Sequence, residues 1–163
     1  MLIRETPMLP RPLLLLAALI MIGVAGCSGQ KEAPPSEVSR ALHPNETPEL
    51  RALIVTTARR HGVPPELVQR VVIRESTHRP KARNGPYYGL MQILPQTAQT
   101  MGYRGGPAGL LDPATNLEYG VKYLRGAYLV ANGDHDRAVS WYARGYYYEA
   151  KRKGLLKETG LRP

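Results

Sequence analysis

The sequence predicts an all-α fold, a single domain of five or six helices. Three observations carry that expectation. Apolar residues recur three and four positions apart in successive windows. Proline and glycine punctuate those windows where helices start and stop. No alternating polar and apolar run of useful length is present, and there is no internal repeat. At 163 residues the chain has room for one domain and some tails.

Taken in order, Pro48 is a first-turn proline, and Leu50, Leu53, Ile54, Thr57 and Ala58 form one stripe behind it. Gly62 is the candidate that closes this helix. Val63-Pro64-Pro65 opens the second, which carries Leu67, Val68, Val71 and Val72 and ends before Pro80. Pro95 starts a third, which stops at Gly102. Asp112-Pro113 reads as an N-cap followed by a first-turn proline. The fourth helix then runs through Leu117, Val121, Leu124 and Tyr128, with Gly133 past its end. Asp134 or Asp136 caps a fifth through Ala138, Val139 and Tyr142, closed by Gly145. A last helical stretch covers Tyr146 to Lys153.

The N-terminal part reads differently. Arg4 and Arg11 precede an apolar run over residues 13–25. Thirteen residues are too few to span a bilayer comfortably, but they match the apolar region of a signal peptide behind a basic start. The run ends in Val24-Ala25-Gly26-Cys27, which resembles a bacterial lipobox. That resemblance implies cleavage after residue 26 and acylation of Cys27, with Ser28 in the next position directing the product to the periplasmic face of the outer membrane. The alternative is a short buried helix with a chance cysteine. Residues 27–45, with three Ser, three Pro and few large apolar groups, read as the lipidated Cys followed by a flexible linker. The folded domain is expected over residues 46–156 and a polar tail over 157–163. Because Cys27 is the chain's one cysteine, an internal disulfide is excluded.

The formal net charge is +9 and the pI about 9.9. Removing Arg4, Glu5 and Arg11 with the leader leaves 20 basic against 12 acidic residues, or +8. A basic surface favours anionic partners such as nucleic acid, acidic lipid or cell-wall polymer. Charge alone does not choose among them, and no nucleic-acid-binding motif is present. There are ten Tyr, one Trp and no Phe. Tyrosine combines an apolar ring with a polar tip, which suits both a core edge and the wall of a polar groove.

One carboxylate stands out. In Val71-Val72-Ile73-Arg74-Glu75-Ser76, Glu75 falls three and four residues after two valines, so it extends the apolar face of its helix. It also falls in the last turn, where the helix dipole disfavours an anion. Desolvation and dipole both push a carboxyl pKa upward, as a general acid requires. Position alone also fits a core-edge glutamate paired with an arginine. Downstream, a loop rich in Gly, Pro and Tyr leads through Gly89-Leu90-Met91-Gln92 into the Pro95 helix. That loop can bend over the end of the Glu75 helix. Gln92 would then offer an amide and Met91 a soft apolar wall.

Together, Glu75-Ser76, the stretch GLMQILPQTA from Gly89 to Ala98, Leu111-Asp112-Pro113, Asn116-Leu117, Gly120, Tyr123-Leu124, Ala138 and Tyr142 resemble the SLT-type lytic transglycosylases. The likeness covers roughly residues 50–150. It implies a goose-lysozyme-like helical domain that cleaves the β-1,4 bond between N-acetylmuramic acid and N-acetylglucosamine in peptidoglycan strands. No metal and no cofactor are implied, and the product is a 1,6-anhydromuramic end. In that resemblance Glu75 performs both proton transfers. Gln92 and Met91 line the cleft, Tyr142 is the tyrosine near the acid, and Ser76 is the serine that follows it. Gly89 allows a close approach of the loop. Asp112 is a helix cap and not a second catalytic carboxylate.

Two departures are visible. The family commonly reads Tyr-Asn-Ala-Gly at its last motif, whereas this chain has Tyr142-Ala143-Arg144-Gly145. Between the acid and Gly89, Asn84-Gly85-Pro86-Tyr87-Tyr88 replaces a stretch that often carries a serine. Asn84 is expected to supply that hydrogen bond, and Tyr87 and Tyr88 to stack on sugar faces. The changed last motif keeps open a second reading, a peptidoglycan-binding lipoprotein without turnover. A third is a hydrolytic lysozyme, against which the missing second carboxylate argues. Small enzymes of this kind either trim the wall generally or serve cell-envelope machinery.

Overall fold

Thr47, Pro48 and Glu49 start the first helix as a unit. The Thr47 hydroxyl accepts from the Leu50 N–H at 3.2 Å, and Pro48 occupies the first turn, where its missing N–H has no cost. Four of the six α-helices among the described residues, α1 Pro48–Arg60, α2 Pro65–Ser76, α3 Pro95–Thr100 and α4 Pro113–Val130, begin on a proline. The last two are α5 His135–Arg144 and α6 Tyr147–Lys153. The Asp112 carboxylate caps α4 through the Thr115 N–H, and Asp134 caps α5 through the Arg137 N–H, both at 2.8 Å. The computed structural model describes residues 41–162, all within one compact unit. Cys27 and the proposed leader lie outside the described residues.

Helix α4 is the axis of the domain. Leu117, Val121, Leu124 and Ala127 are fully buried along it. Helices α1, α3, α5 and α6 all pack against α4, and α2 joins through α1 and α5. On α2, Leu67, Val68, Val71 and Val72 are each fully buried, as their spacing requires. Gly120 lies on the buried face of α4. A Cβ there would stand 2.5 Å from the Met91 sulfur, so this position admits only glycine while Met91 nests against the helix. A smaller cluster of Ile93, Ala98, Tyr103 and Leu110 forms a second core beneath Tyr88, Tyr119 and Tyr123.

Two local elements were not expected from the sequence. A two-residue antiparallel ribbon pairs β1 Arg83–Asn84 with β2 Tyr87–Tyr88. A 3-10 turn, Pro107–Leu111, leads into α4. Packing also continues past residue 156, because Leu161 lies against the main core and Thr159 is buried.

The end of α2 is closed by unusual backbone. Thr77 and His78 both take left-handed conformations, with φ of 49° and 57°. The Thr77 N–H donates to the Ile73 carbonyl, while Arg79 donates to the Ser76 carbonyl from its backbone N–H and its Nε. Asn45 donates to the Thr77 carbonyl at 3.0 Å. Behind this turn is a buried polar cluster. Glu46 accepts from Arg51, from Gln69 at 2.7 Å and from the His43 N–H at 2.9 Å. Although burial alone would raise the Glu46 pKa, the Arg51 guanidinium and the other donors hold it down at about 2. His78 Nε2 bonds the Gln69 carboxamide oxygen at 2.7 Å, which makes Nε2 the protonated nitrogen.

Candidate active site

The turn after α2 and the β1–β2 ribbon bring the chain back across the end of the helix that carries Glu75. Two adjoining cavities result, sharing Tyr87, Gln92, Tyr142 and Ala143. One, of about 290 Å3, adds Arg74, Glu75 and Asn84. The other, of about 240 Å3, adds Ile93, Leu94, Thr97, Tyr123, Arg144 and Gly145. They form the two halves of one groove, and Glu75 is the sole carboxylate among the described residues lining it.

Glu75 is held where a carboxylic acid is favoured over a carboxylate. Its side chain is 23% exposed, with Val71 and Val72 buried behind it. Burial raises its pKa, and the Arg74 guanidinium, 3.6 Å away and largely solvated, opposes this only in part. The folded protein therefore binds this proton more tightly than the unfolded chain does. The associated stability is fully present below the unfolded carboxyl value of about 4.5 and is lost as pH rises through the higher folded value. Glu75→Gln, which cannot ionise, is expected to gain stability relative to the native chain as pH rises through that window. Urea melts of both proteins at pH 4 and pH 8 check this. A stability difference that does not change with pH would contradict it.

Gln92 and Tyr142 are fixed by the loop backbone. Gln92 sits at φ 46°, and its Nε2 donates to the Ala82 carbonyl at 3.1 Å and the Gly89 carbonyl at 2.8 Å. With both amide protons committed, the carboxamide oxygen is what Gln92 can offer the groove. The Tyr142 hydroxyl donates to the Met91 carbonyl at 2.8 Å. Its one proton is thus spent, and toward the groove it is an acceptor. Burial holds the Tyr142 phenol far above its usual pKa, and the Glu75 charge adds to that. The Tyr142 ring packs edge-on against Tyr123, with centroids 5.4 Å apart.

Asn84 and Tyr87 line the groove as expected, with Tyr87 40% exposed. Four residues expected at the groove lie outside its lining. Successive strand residues point to opposite faces, so Tyr88 turns away from Tyr87. Its ring lies under the Arg83 guanidinium, and its hydroxyl accepts from that arginine at 3.0 Å. Ser76 is buried and bonds the Val72 carbonyl within α2. Met91 is fully buried and acts through its backbone. Gly89 is buried at φ 73°, and a Cβ there would stand 2.3 Å from the Asn116 amide nitrogen.

Asn116, legible in the sequence only as part of the family pattern, is a supporting residue of this loop. Fully buried on α4, it accepts from the Met91 N–H and donates to the Tyr88 and Leu110 carbonyls, each at 2.8 Å. It sets the height of the loop that carries Gln92. A lone asparagine in a helix gives no signal for which three backbone groups it will bond, two of them 25 and 28 residues away. Tyr123 was legible only as part of the family pattern.

The transglycosylase SLT domain model matches residues 52–159, more than half of the chain. One relative is the membrane-bound lytic murein transglycosylase E of Buchnera aphidicola subsp. Acyrthosiphon pisum (strain APS). It is 36% identical over 80 residues, covering 44% of this chain and 36% of the relative's own length. The chain thus matches little more than a third of that relative.

Proposed function

The chain belongs to the transglycosylase SLT domain family, and on that footing we propose that it is a peptidoglycan lytic transglycosylase with Glu75 as its single acid and base. The observation that carries this reading is a lone, half-buried carboxyl with a raised pKa, set in a groove that holds no second carboxylate among its described residues. As an acid, Glu75 donates its proton to the glycosidic oxygen while the C1–O bond breaks. The substrate's own N-acetyl oxygen supports the positive charge at C1, as in the substrate-assisted exceptions to two-carboxylate glycosidases. The Glu75 carboxylate then takes the proton of the muramic 6-hydroxyl, whose oxygen closes onto C1. No water is consumed, and Glu75 ends the cycle protonated. Tyr142 and Gln92 present acceptors beside this centre, and exposed Tyr87 offers a ring for a sugar face. Asn84 is the substrate contact expected from β1.

The test is the product. The purified full chain, incubated with isolated sacculi, is expected to release muropeptides with 1,6-anhydro ends, read by mass. Reducing ends would make it a lysozyme instead, and binding without products would make it a wall-binding protein.

We further propose that Cys27 is acylated and anchors the domain at the periplasmic face of the outer membrane. The support is the sequence from Arg4 to Ser28 together with a relative described as membrane-bound. No helix among the described residues is long and apolar enough to cross a membrane. Two or three acyl chains would suffice for a firm anchor. Cys27→Ser is expected to leave the protein unlipidated and to move it from the membrane to the soluble fraction. An unchanged membrane fraction would refute the anchor. A membrane-held enzyme of this size suits service to envelope machinery as well as general wall turnover.

A further inference from the structure

We propose that Arg144 is an anion-recognition point in the groove, and that it binds a carboxylate of the peptide carried on muramic acid. This rests on the groove taking peptidoglycan. Arg144 lines the half of the groove that joins the Glu75 half through Tyr87, Gln92 and Tyr142. Its guanidinium carbon lies 3.9 Å from the centroid of the Trp141 ring, one helical turn earlier on α5. The side chain is exposed, and no hydrogen bond or ion pair from it is present among the described residues. Arg144 acts weakly on Glu149 through space, but that carboxylate is already engaged by Arg152 and by Lys153 at 3.9 Å.

A guanidinium stacked on an indole is held in place while its N–H edge stays free in the plane of the group. That edge matches a carboxylate in a two-point hydrogen bond. Much of the entropic cost of ordering a long side chain is therefore met before a ligand arrives. The other groove arginine, Arg74, already faces Glu75 at 3.6 Å. The remainder of this half of the groove is neutral: Tyr123, Leu94, Thr97 and Ile93. Neutral sugars offer a fixed cation hydroxyl and amide acceptors but no opposite charge, whereas the peptide of the polymer carries carboxylates. Arg144 also ends α5, where the carbonyl dipole favours a cation and helps hold it in place.

The test uses the full chain bearing Glu75→Gln, with and without Arg144→Ala. Its binding is measured to two soluble probes: peptide-bearing glycan strands, and the same strands with their peptide carboxylates converted to amides. The single variant is expected to prefer the strands with free peptide carboxylates by about tenfold, the worth of one charged hydrogen-bonded contact. Adding Arg144→Ala should bring that ratio close to one, and Arg144→Lys should restore part of it. A ratio unchanged by Arg144→Ala overturns the proposal. So does an equal fall on both probes, which would be a general charge effect. Melting curves of each variant show that the folded protein is being compared. If the native chain makes no anhydro ends from either probe, the proposed activity fails, while the binding ratio still decides the role of Arg144.

Discussion

Glu75→Gln is expected to lower formation of anhydromuropeptides by about 10^2-fold to 10^4-fold, the range of a general acid that is lost without replacement. Gln keeps the size and the hydrogen-bonding reach of the side chain but has no proton to give at neutral pH. Both halves of the proposed reaction stop together, since the same oxygen that donates must later accept. No other carboxylate lines the described groove to take over. The variant should still fold and still bind strands, because Val71 and Val72 pack behind either side chain and gain from the loss of a buried ionisable group. Mass analysis of products from sacculi, alongside a binding assay, reads both properties. Residual activity within tenfold of the native protein would place the acid elsewhere.

Asn116→Ala carries the largest expected effect on stability, a loss of about 4 kcal/mol. Three buried hydrogen bonds disappear at once. The Tyr88 carbonyl retains the Ile93 N–H. The Met91 N–H and the Leu110 carbonyl are left with no other partner among the described residues, in a place water does not reach. At roughly 4 °C per kcal/mol for a domain of this size, the melting temperature should fall by about 15 °C. Activity should fall as well, since Met91 orients Tyr142 and the next residue is Gln92. A thermal melt and a product assay on the same preparation check the pair. A stability loss under about 1 kcal/mol would show that the loop holds its position without this residue.

The helices were legible because proline at the first turn and apolar spacing are both local signals. Pro48, Pro65, Pro95 and Pro113 each open a helix, and Asp112 and Asp134 cap as their positions suggest. Glu75 was legible for the same reason, since its distance from Val71 and Val72 fixes its face. The β1–β2 ribbon was not, because two residues per strand cannot display an alternation. Tyr88 was misplaced for want of that ribbon: with the pairing known, its opposition to Tyr87 follows at once. The Glu46–Gln69 bond and the bonds of Asn116 to Met91 and Tyr88 join residues more than twenty positions apart, and polar side chains carry no periodic mark of the partner they will meet. Met91 was read as a wall of the cleft, and Ser76 was left between a structural and a functional role, because a motif records which residues occur together, not which way each one points.

The closure of α2 bears on motion as well as on structure. Helix ends ordinarily fray, opening and reclosing on fast timescales because their last carbonyls lack partners. Here the carbonyls of Ile73, Ser76 and Thr77 are all occupied, and His78 reaches back to Gln69 on the same helix. Glu75 therefore stands on a helix end tied down on both sides of it. In the proposed reaction, adjustment is expected first in the sugar and in the exposed ribbon tip between Asn84 and Tyr87.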